Sequence, residues 1–487
     1  MTETTIESPL THREVVLIIT GIIVAMFIAA LDQTIVVTAL PSIGRALGQS
    51  TSLPWIVTAY LLAGTAITPL YGKVSDIIGR RTTLLFALSV FMLGSVACAI
   101  APTMLILIAA RALQGLGGGG LISLAQTIIA DIVSPKERSR YQVYISGVYM
   151  TASVLGPLFG GFLSEHLHWS AIFWLNVPLC LLALLMTNGL LKKLPRHERP
   201  HKLDFLGAGL MASGSIAFLL ALNWGGVRYA WGSPQILGTF ALALVLWFAF
   251  AIRLRTAEEP FLPPEILQNK VVATGIMVAL LIMGCYIGVT AYLPIYMELA
   301  YGFSASASGV ALIPFMGGTV VGAIIAGRFM ARSSNYKQPG IVGLIVSIIV
   351  TAILAFSSST IDLVVFEFFT AVISIGLGTI FPITTVAIQN AVIPHQMGTA
   401  TGVMNFFRSI GGALVVALFG AVLFSQLPNL TTLETAHNLA ANPEIHQAFR
   451  PLFGLAAAIL AVALLVFAFM PQNPLRTTNN NSHQGEI

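Results

Sequence analysis

The chain has 487 residues, of which 56% are hydrophobic and 9% are charged, and its mean hydropathy is +0.87. Soluble domains carry about 25% charged residues, so this composition excludes an ordinary soluble protein. The net charge of +5 and the pI of about 9.2 permit a polyanionic partner, but the distribution of the basic residues along the chain gives a different explanation.

Fourteen apolar segments are each long enough to cross a bilayer, whose hydrocarbon core takes about 20 helical residues. They predict an all-α integral membrane protein with 14 transmembrane helices. In chain order the predicted spans are residues 15–40, 55–71, 84–101, 105–130, 143–163, 171–191, 205–222, 234–252, 271–297, 308–329, 341–356, 363–391, 399–424 and 449–470.

The basic residues predict the orientation of the chain. If the N-terminus is cytoplasmic, 19 of the 24 Lys and Arg residues fall on cytoplasmic segments, and Arg45, Arg228 and Arg450 fall on the other side. Arg111 and Arg408 lie within spans. This asymmetry follows the positive-inside rule and predicts that both termini are cytoplasmic. The charge therefore sets orientation and implies no nucleic-acid partner.

The spans divide into six, two and six, and weak repeats support this division. The loop at residues 72–81 has a counterpart at 327–332, and Gly411-Gly412 in span 13 matches the glycines of span 5. We expect two six-helix bundles in a pseudo-twofold arrangement plus two additional linker helices. The predicted units are 1–14, a cytoplasmic segment; 15–191, the N-terminal bundle; 192–204, a basic linker; 205–252, the inserted helices; 253–270, a second linker; 271–470, the C-terminal bundle with an external loop at 426–448; and 471–487, a disordered cytoplasmic tail.

Asp32 is a carboxylate inside the first span. It lies nine residues before Pro41 in the string LDQTIVVTALP (residues 31–41), about 13 Å along a helix and within the hydrocarbon zone. Burial disfavours the charged form of a carboxyl group, whereas a nearby guanidinium such as that of Arg111 favours it. A group balanced in this way can take up and release a proton as its partner moves. The alternative is an Asp that only joins helices.

Arg111 opens the string RALQGLGGGG (residues 111–120) in span 4. A guanidinium in hydrocarbon keeps its proton, so it needs carboxylate, amide or water partners. The alternative is a structural arginine that reaches water from the outer end of its span. Arg408 in span 13 also needs a partner, which the sequence does not identify. Glu367 in span 12 is a candidate second proton site, with an interfacial position as the alternative.

Two further strings predict close helix contacts. In GKVSDIIGRR (residues 72–81), Gly72 and Gly79 permit a tight turn, and Asp76 can cap a helix or pair with Arg80 or Arg81. Its alternative is a basic loop that only sets topology. In ASVLGPLFGG (residues 152–161), the proline removes a backbone donor and bends the helix, and the flanking glycines leave a packing groove. The alternative there is a generic kink.

These four strings, in this order and on these spans, resemble motifs of the major facilitator superfamily over about residues 15–470. The string at 31–41 and WSAIFWLNVP (residues 169–178) resemble motifs of its 14-span drug:proton antiporters. The string at 152–161 resembles the antiporter motif of the superfamily, except that Ala152 stands where that motif usually has its first Gly. The resemblance implies proton transfer through Arg111 beside Asp32. It implies a conformational latch at Gly72, Asp76, Gly79, Arg80 and Arg81, with Asp131 as a candidate partner. It also implies export rather than uptake, from Gly156, Pro157, Gly160 and Gly161.

The resemblance implies a transporter, not an enzyme, that exports lipophilic, cationic drugs or toxic compounds across a bacterial inner membrane. The proton gradient would drive it without a cofactor, and any periplasmic adaptor would be a separate protein. Aromatic and polar side chains would line the substrate cavity, where rings suit flat cations, although each alone is otherwise a packing residue. These are Phe27, Gln114, Met283, Tyr286, Tyr292, Phe315, Phe381, Phe406 and Arg408.

Three other functions remain open. A dedicated exporter of one metabolite, amino acid or siderophore would carry the same motifs. A proton symporter for uptake fits the string at 152–161 less well. A receptor or membrane enzyme is disfavoured because we find no nucleotide-binding loop or nucleophile–base pattern, and Cys98, Cys180 and Cys285 are too isolated for a metal or disulfide site.

Overall fold

We describe the protein from a computed structural model, for residues 12–48, 52–191, 203–333, 335–357, 361–426 and 443–476. Within these residues, fourteen helices are long and apolar enough to cross a bilayer, which confirms the predicted helical class and number of spans. The helices follow from their surroundings, since a chain in hydrocarbon must satisfy every backbone N–H and C=O internally.

The helices of the first half are α1 (His12–Leu47), α2 (Pro54–Ile78), α3 (Arg80–Ala99), α4 (Met104–Ile132), α5 (Pro135–His166), α6 (Ala171–Trp174) and α7 (Asn176–Leu190). The insert contains α8 (Phe205–Trp224) and α9 (Pro234–Thr256), and α10 (Pro264–Gln268) connects it to the second half. The second half contains α11 (Lys270–Tyr301), α12 (Ala305–Val310), α13 (Ile313–Arg332), α14 (Gln338–Phe356), α15 (Leu363–Ala391), α16 (Met397–Gln426) and α17 (Pro443–Phe469).

The sixth span is broken, which the sequence analysis does not predict. α6 ends at Trp174 and α7 begins at Asn176. Pro178 has no N–H to donate to the Trp174 carbonyl four residues earlier, so a continuous helix loses a hydrogen bond at this point. The break places Asn176 at the start of α7, where its side chain is 1% exposed.

The two halves use the same set of helix pairs. In the first half α1 packs on α4, α5 and α7, while α4 packs on α2 and α3. In the second half α11 packs on α15, α16 and α17, while α15 packs on α13 and α14. Each spanning helix of the first half thus has a counterpart eight spans later. The contacts between the halves repeat in the same way, because α2 packs on α16 and α5 packs on α13.

The inserted helices pack on each other, and α8 also contacts α2 and α16, one helix from each half. The Asp204 carboxylate caps α8 through the Gly207 N–H and pairs with Arg253 at the end of α9, at 3.0 Å. Large apolar side chains of α9, such as Val245 and Phe248, are more than 60% exposed in the protein alone, as expected of a lipid-facing helix.

The part of the predicted tail that the structure describes is not disordered. The Asn390 side chain of α15 donates to the Pro474 carbonyl at 3.0 Å and accepts from the Arg476 N–H at 3.1 Å. These bonds hold the chain against the end of α15 as far as residue 476. Most of the predicted basic linker and external loop, at 192–202 and 427–442, lies outside the described residues, as do residues 477–487.

Candidate functional site

The Asp32 and Arg111 side chains form a buried ion pair between α1 and α4. Asp32 is 0% exposed and Arg111 is 1% exposed, and the Arg111 Nη1 donates to Asp32 Oδ2 at 2.6 Å. The Arg111 Nε donates to the Ile56 carbonyl at 3.1 Å, and the guanidinium lies 4.4 Å from the centre of the Tyr60 ring. The carboxylate therefore has its counter-charge within the membrane, as the sequence analysis expects.

Neutral polar groups complete the hydrogen bonding of Asp32. The amide groups of Gln114 and Asn176 each donate to Asp32 Oδ1 at 2.8 Å, and Gln114 also donates to the Ser95 hydroxyl. We predicted Gln114 as a cavity residue, but it lies in this cluster. Sequence reasoning missed Ser95 and gave Asn176 no role, although the string at residues 169–178 contained a signal.

The hydrogen bonds of Asp32 suit its charged form. The charged carboxylate accepts three hydrogen bonds, from Arg111, Gln114 and Asn176. A protonated carboxyl group loses its attraction to the guanidinium and becomes a donor, so the Arg111 charge is left buried without compensation. An uncharged side chain at residue 32 would therefore weaken the contacts of α1 with α4 and α7.

Glu367 lies elsewhere. It is the fifth residue of α15, is partly buried, and its side chain has no hydrogen bond or ion pair with the described residues. Glu298, at the end of α11, accepts a hydrogen bond from the Ser308 hydroxyl at 2.8 Å. The structure thus brings Asp32 and Arg111 together and leaves Glu367 outside their hydrogen-bond network.

A second charged cluster lies at the end of the bundle where α2 meets α3, which we call the basic end. The Arg80 Nε donates to Asp131 Oδ2 of α4 at 2.7 Å, and Arg80 also forms an ion pair with Asp76. Arg80 and Asp76 are 8% and 5% exposed at their side chains. Gly79 connects α2 to α3 with φ of +93°, a conformation that side-chain-bearing residues rarely adopt.

Asp76 also binds the opposite half. Its Oδ1 accepts from the Gly398 N–H at 3.0 Å, and its Oδ2 accepts from the Thr399 N–H and hydroxyl, both at 2.7 Å. The carboxylate therefore caps the N-terminus of α16, where the helix dipole favours negative charge. Gly72 permits this approach, because a Cβ there would clash with the Gly398 carbonyl.

Arg81 does not reach across the halves, since it donates to the carbonyl and side-chain oxygens of Asn188 in α7. Other hydrogen bonds do cross near the basic end and were not predicted. Arg138 of α5 donates to Gln389 of α15 at 3.1 Å, and Asn405 of α16 donates to Gln126 of α4 at 2.8 Å. The halves are thus joined at the basic end.

The glycines of the α5 motif differ in their surroundings. Added Cβ atoms would clash with the Thr34 hydroxyl at Gly156, and with the Thr38 hydroxyl and the Ile35 carbonyl at Gly160. At Gly161 a Cβ would meet no atom within 4 Å, and Pro157 is exposed. Two of the four motif residues therefore set the contact between α5 and α1, the helix that carries Asp32.

We expect Gly160→Ala and Gly161→Ala to change stability in opposite directions. Overpacking against α1 should lower the free energy of unfolding by about 1–3 kcal/mol for Gly160→Ala. Gly161→Ala adds a methyl group in open space and should raise it by about 0.5–1 kcal/mol, since alanine is the better helix former. Unfolding midpoints of the two purified variants in the same detergent test this, and equal shifts would contradict the assigned contact.

The predicted cavity residues separate into several groups. The Tyr286 ring stacks on Phe315 at 5.4 Å and meets Phe381 edge-on at 5.7 Å, and Arg408 lies 5.7 Å from the Phe381 ring centre. Tyr292 instead donates to the Val416 carbonyl of α16. Phe406 packs near Phe407 in a separate apolar cluster. Phe27 is partly buried against the first-half core, and Met283 is partly buried one turn before Tyr286 on α11.

Comparisons with known proteins agree with this architecture. The family model described as Major Facilitator Superfamily matches residues 22–416. The multidrug transporter protein MdtP of Bacillus subtilis (strain 168) is 36% identical over 85% of this chain and 76% of its own length. Multidrug resistance protein 3 of the same organism is 34% identical over 88% and 86%.

Relatives from fungi and solved structures extend the comparison. The efflux pump dotC of Dothistroma septosporum (strain NZE10 / CBS 128990) is 29% identical over 97% of this chain and 87% of its own. The crystal structure of the human organic anion transporter MFSD10 superposes with a TM-score of 0.62 at 17% identity, covering 92% of this chain and 99% of that one. The proton:xylose symporter XylE gives 0.61 at 15%, covering 95% and 97%. At these identities the two structures support the fold alone.

Proposed function

This chain belongs to the major facilitator superfamily of membrane transporters, and we propose that it is a proton-coupled antiporter that exports lipophilic small molecules. The observation that carries the proposal is the Asp32–Arg111 ion pair, which is buried at membrane depth, where charged side chains are rare and commonly mark ion or substrate pathways. The multidrug relatives favour a broad range of substrates over a single metabolite.

The proposed cycle uses alternating access. With the substrate released outside, Asp32 takes up a proton and its bonds to Arg111, Gln114 and Asn176 weaken. The halves then rock so that the basic end, cytoplasmic on charge grounds, opens. There the proton leaves and substrate enters. Proton flow down its gradient supplies the energy, with no bound cofactor.

The latch gives the cycle its second state. Asp76 holds the N-terminus of α16 while Arg80 ties Asp76 to Asp131, so these residues stabilise the form that is closed at the basic end. Opening at that end must break the bonds from Asp76 to Gly398 and Thr399. Protonation of Asp32, which favours opening at the basic end, and the intact latch, which favours the closed form, are therefore proposed to act in opposite directions on one two-state equilibrium.

Purified protein in liposomes tests the proposal. We expect an imposed pH gradient to drive uptake of at least one lipophilic dye from a set of ethidium, Nile red and anilinonaphthalene sulfonate. Protons should move in the direction opposite to the dye. Dye uptake should therefore raise the pH of the lumen, which trapped pyranine reports. Dye movement that persists unchanged after an uncoupler removes the gradient would contradict antiport.

A further inference from the structure

Arg408 of α16 is a buried cation without an anionic partner. It is 7% exposed, and no carboxylate among the described residues lies within ion-pair distance of its guanidinium. Arg80 and Arg111 each pair with a carboxylate, and Arg138 has Asp131 nearby. Arginine does not lose its proton in proteins, so the Arg408 charge is present throughout the cycle.

The hydrogen bonds of Arg408 are neutral and incomplete. Its Nη2 donates to the Thr385 hydroxyl at 2.9 Å and to the Thr384 hydroxyl and Phe381 carbonyl at 3.3 Å. Its Nη1 donates to the Asn405 side chain at 3.4 Å, and its buried Nε has no hydrogen-bond partner. A buried donor without a partner is unfavourable, so the site has capacity for one more acceptor.

Arg408 lies at the interface between the halves. Tyr149 of α5, from the first half, is close enough to interact electrostatically with both Arg408 and Tyr286. The Phe381 ring lies beside the guanidinium, and the stacked Tyr286 and Phe315 rings adjoin it. An aromatic surface therefore lies beside one uncompensated positive charge, at the position where transporters with repeated halves hold their substrates.

We propose that Arg408, Tyr286, Phe315 and Phe381 form a substrate site that selects lipophilic compounds carrying an anionic group, such as aromatic carboxylates or sulfonates. The anion would supply the charge that the protein omits and would accept from the free Nε, while the rings would bind the apolar part. This inference rests on the proposed export function, and it gives the substrate a charge opposite to the one the sequence analysis favours.

The described bundle offers less to a cation. The Asp32 carboxylate already has a counter-charge in Arg111 and accepts hydrogen bonds from Gln114 and Asn176. Glu367 lies 18 residues before Thr385 on α15, about 27 Å along the helix axis, so it belongs to a different level of the membrane. A substrate cation next to Arg408 would be repelled at short range.

Three naphthalene compounds that differ in charge test the proposal by equilibrium binding. They are 2-naphthoate, 2-naphthylmethanol and 2-naphthylmethylammonium, titrated calorimetrically into the full chain in lipid nanodiscs at one ionic strength. We expect the native protein to bind naphthoate at least about 10-fold more tightly than the ammonium compound. We expect Arg408→Gln to weaken naphthoate binding about 10- to 100-fold and to leave the affinity for the alcohol unchanged. The naphthoate affinity of Arg408→Lys should lie between those of the native protein and Arg408→Gln.

Arg450→Gln is the matched control, because among the described residues Arg450 donates only to the carbonyls of Ala355 and Phe356 at the end of α14. Equal or tighter binding of the ammonium compound to native protein would overturn the proposal without any variant, even if Arg408→Gln fails to fold. Unchanged naphthoate binding in a folded Arg408→Gln would overturn it too. Binding needs no proton gradient, so this titration can be interpreted even if the protein is not proton-coupled. A failure of proton coupling would appear in the liposome experiment instead.

Discussion

Asp32→Asn is expected to abolish accumulation against a gradient while leaving substrate binding in place. Each coupled proton permits about a tenfold substrate ratio per pH unit, because one pH unit is worth about 1.4 kcal/mol. Asparagine keeps the size of the side chain and can still accept from Gln114 or Asn176, but it cannot bind and release a proton. Native protein in liposomes should therefore hold a substrate ratio of about 10 or more, and the variant a ratio of about 1.

Asp362→Asn is the control for this experiment. Asp362 is exposed and caps α15 by accepting from the Val364 N–H at 2.8 Å. Asparagine caps helices as well as aspartate does, so native accumulation is expected. If Asp32→Asn accumulates substrate as the native protein does, Asp32 only joins helices, and Glu367→Gln becomes the next variant to measure.

Asp76→Asn is expected to open the basic end. The Asp76 carboxylate accepts from Gly398 and Thr399, and hydrogen bonds to charged groups contribute about 1.5–3 kcal/mol each. The asparagine amide keeps one acceptor and loses the charge that favours the α16 N-terminus. We expect the closed form to lose about 2 kcal/mol, which shifts the equilibrium about 30-fold, and efflux to fall at least about tenfold.

Electron-spin distances between labels at Ile78 and Arg332, exposed residues of α2 and α13, measure this shift. The labels require a background in which the three buried cysteines are replaced by alanine. Arg81→Gln is the comparison, because within the described part of the chain Arg81 bonds only to Asn188 of its own half, and it should move the distances far less. Identical distance distributions for Asp76→Asn and the native protein would contradict the latch.

The membrane architecture could be predicted from sequence because hydrocarbon leaves the chain little choice. Apolar segments about 20 residues long must be helical, and the structure has fourteen. The break in span six was harder to predict from the sequence, since a proline such as Pro178 near a helix start often leaves the helix unbroken. Here the hydrogen bond from Asn176 to Asp32 offsets the cost of the break, and that bond depends on tertiary packing.

The contacts of the charged residues were predictable where two opposite charges lie in the membrane. Asp32 and Arg111 lie 79 residues apart, yet two opposite charges in hydrocarbon have few other partners. Ser95 carried no such signal, because serine is common in membrane helices. The partners of Arg408 were not predictable, because they are threonine hydroxyls and a carbonyl, which no charge pattern marks.

The number of protons displaced when substrate binds is the most direct measure of antiport through Asp32. A ligand that favours the deprotonated state must release protons on binding, by linkage. A pH indicator in weakly buffered solution can count them for purified protein and a saturating transported compound. Our account predicts about one proton per bound substrate for the native protein and none for Asp32→Asn. Equal release from the two proteins, or no release from the native protein, would contradict it.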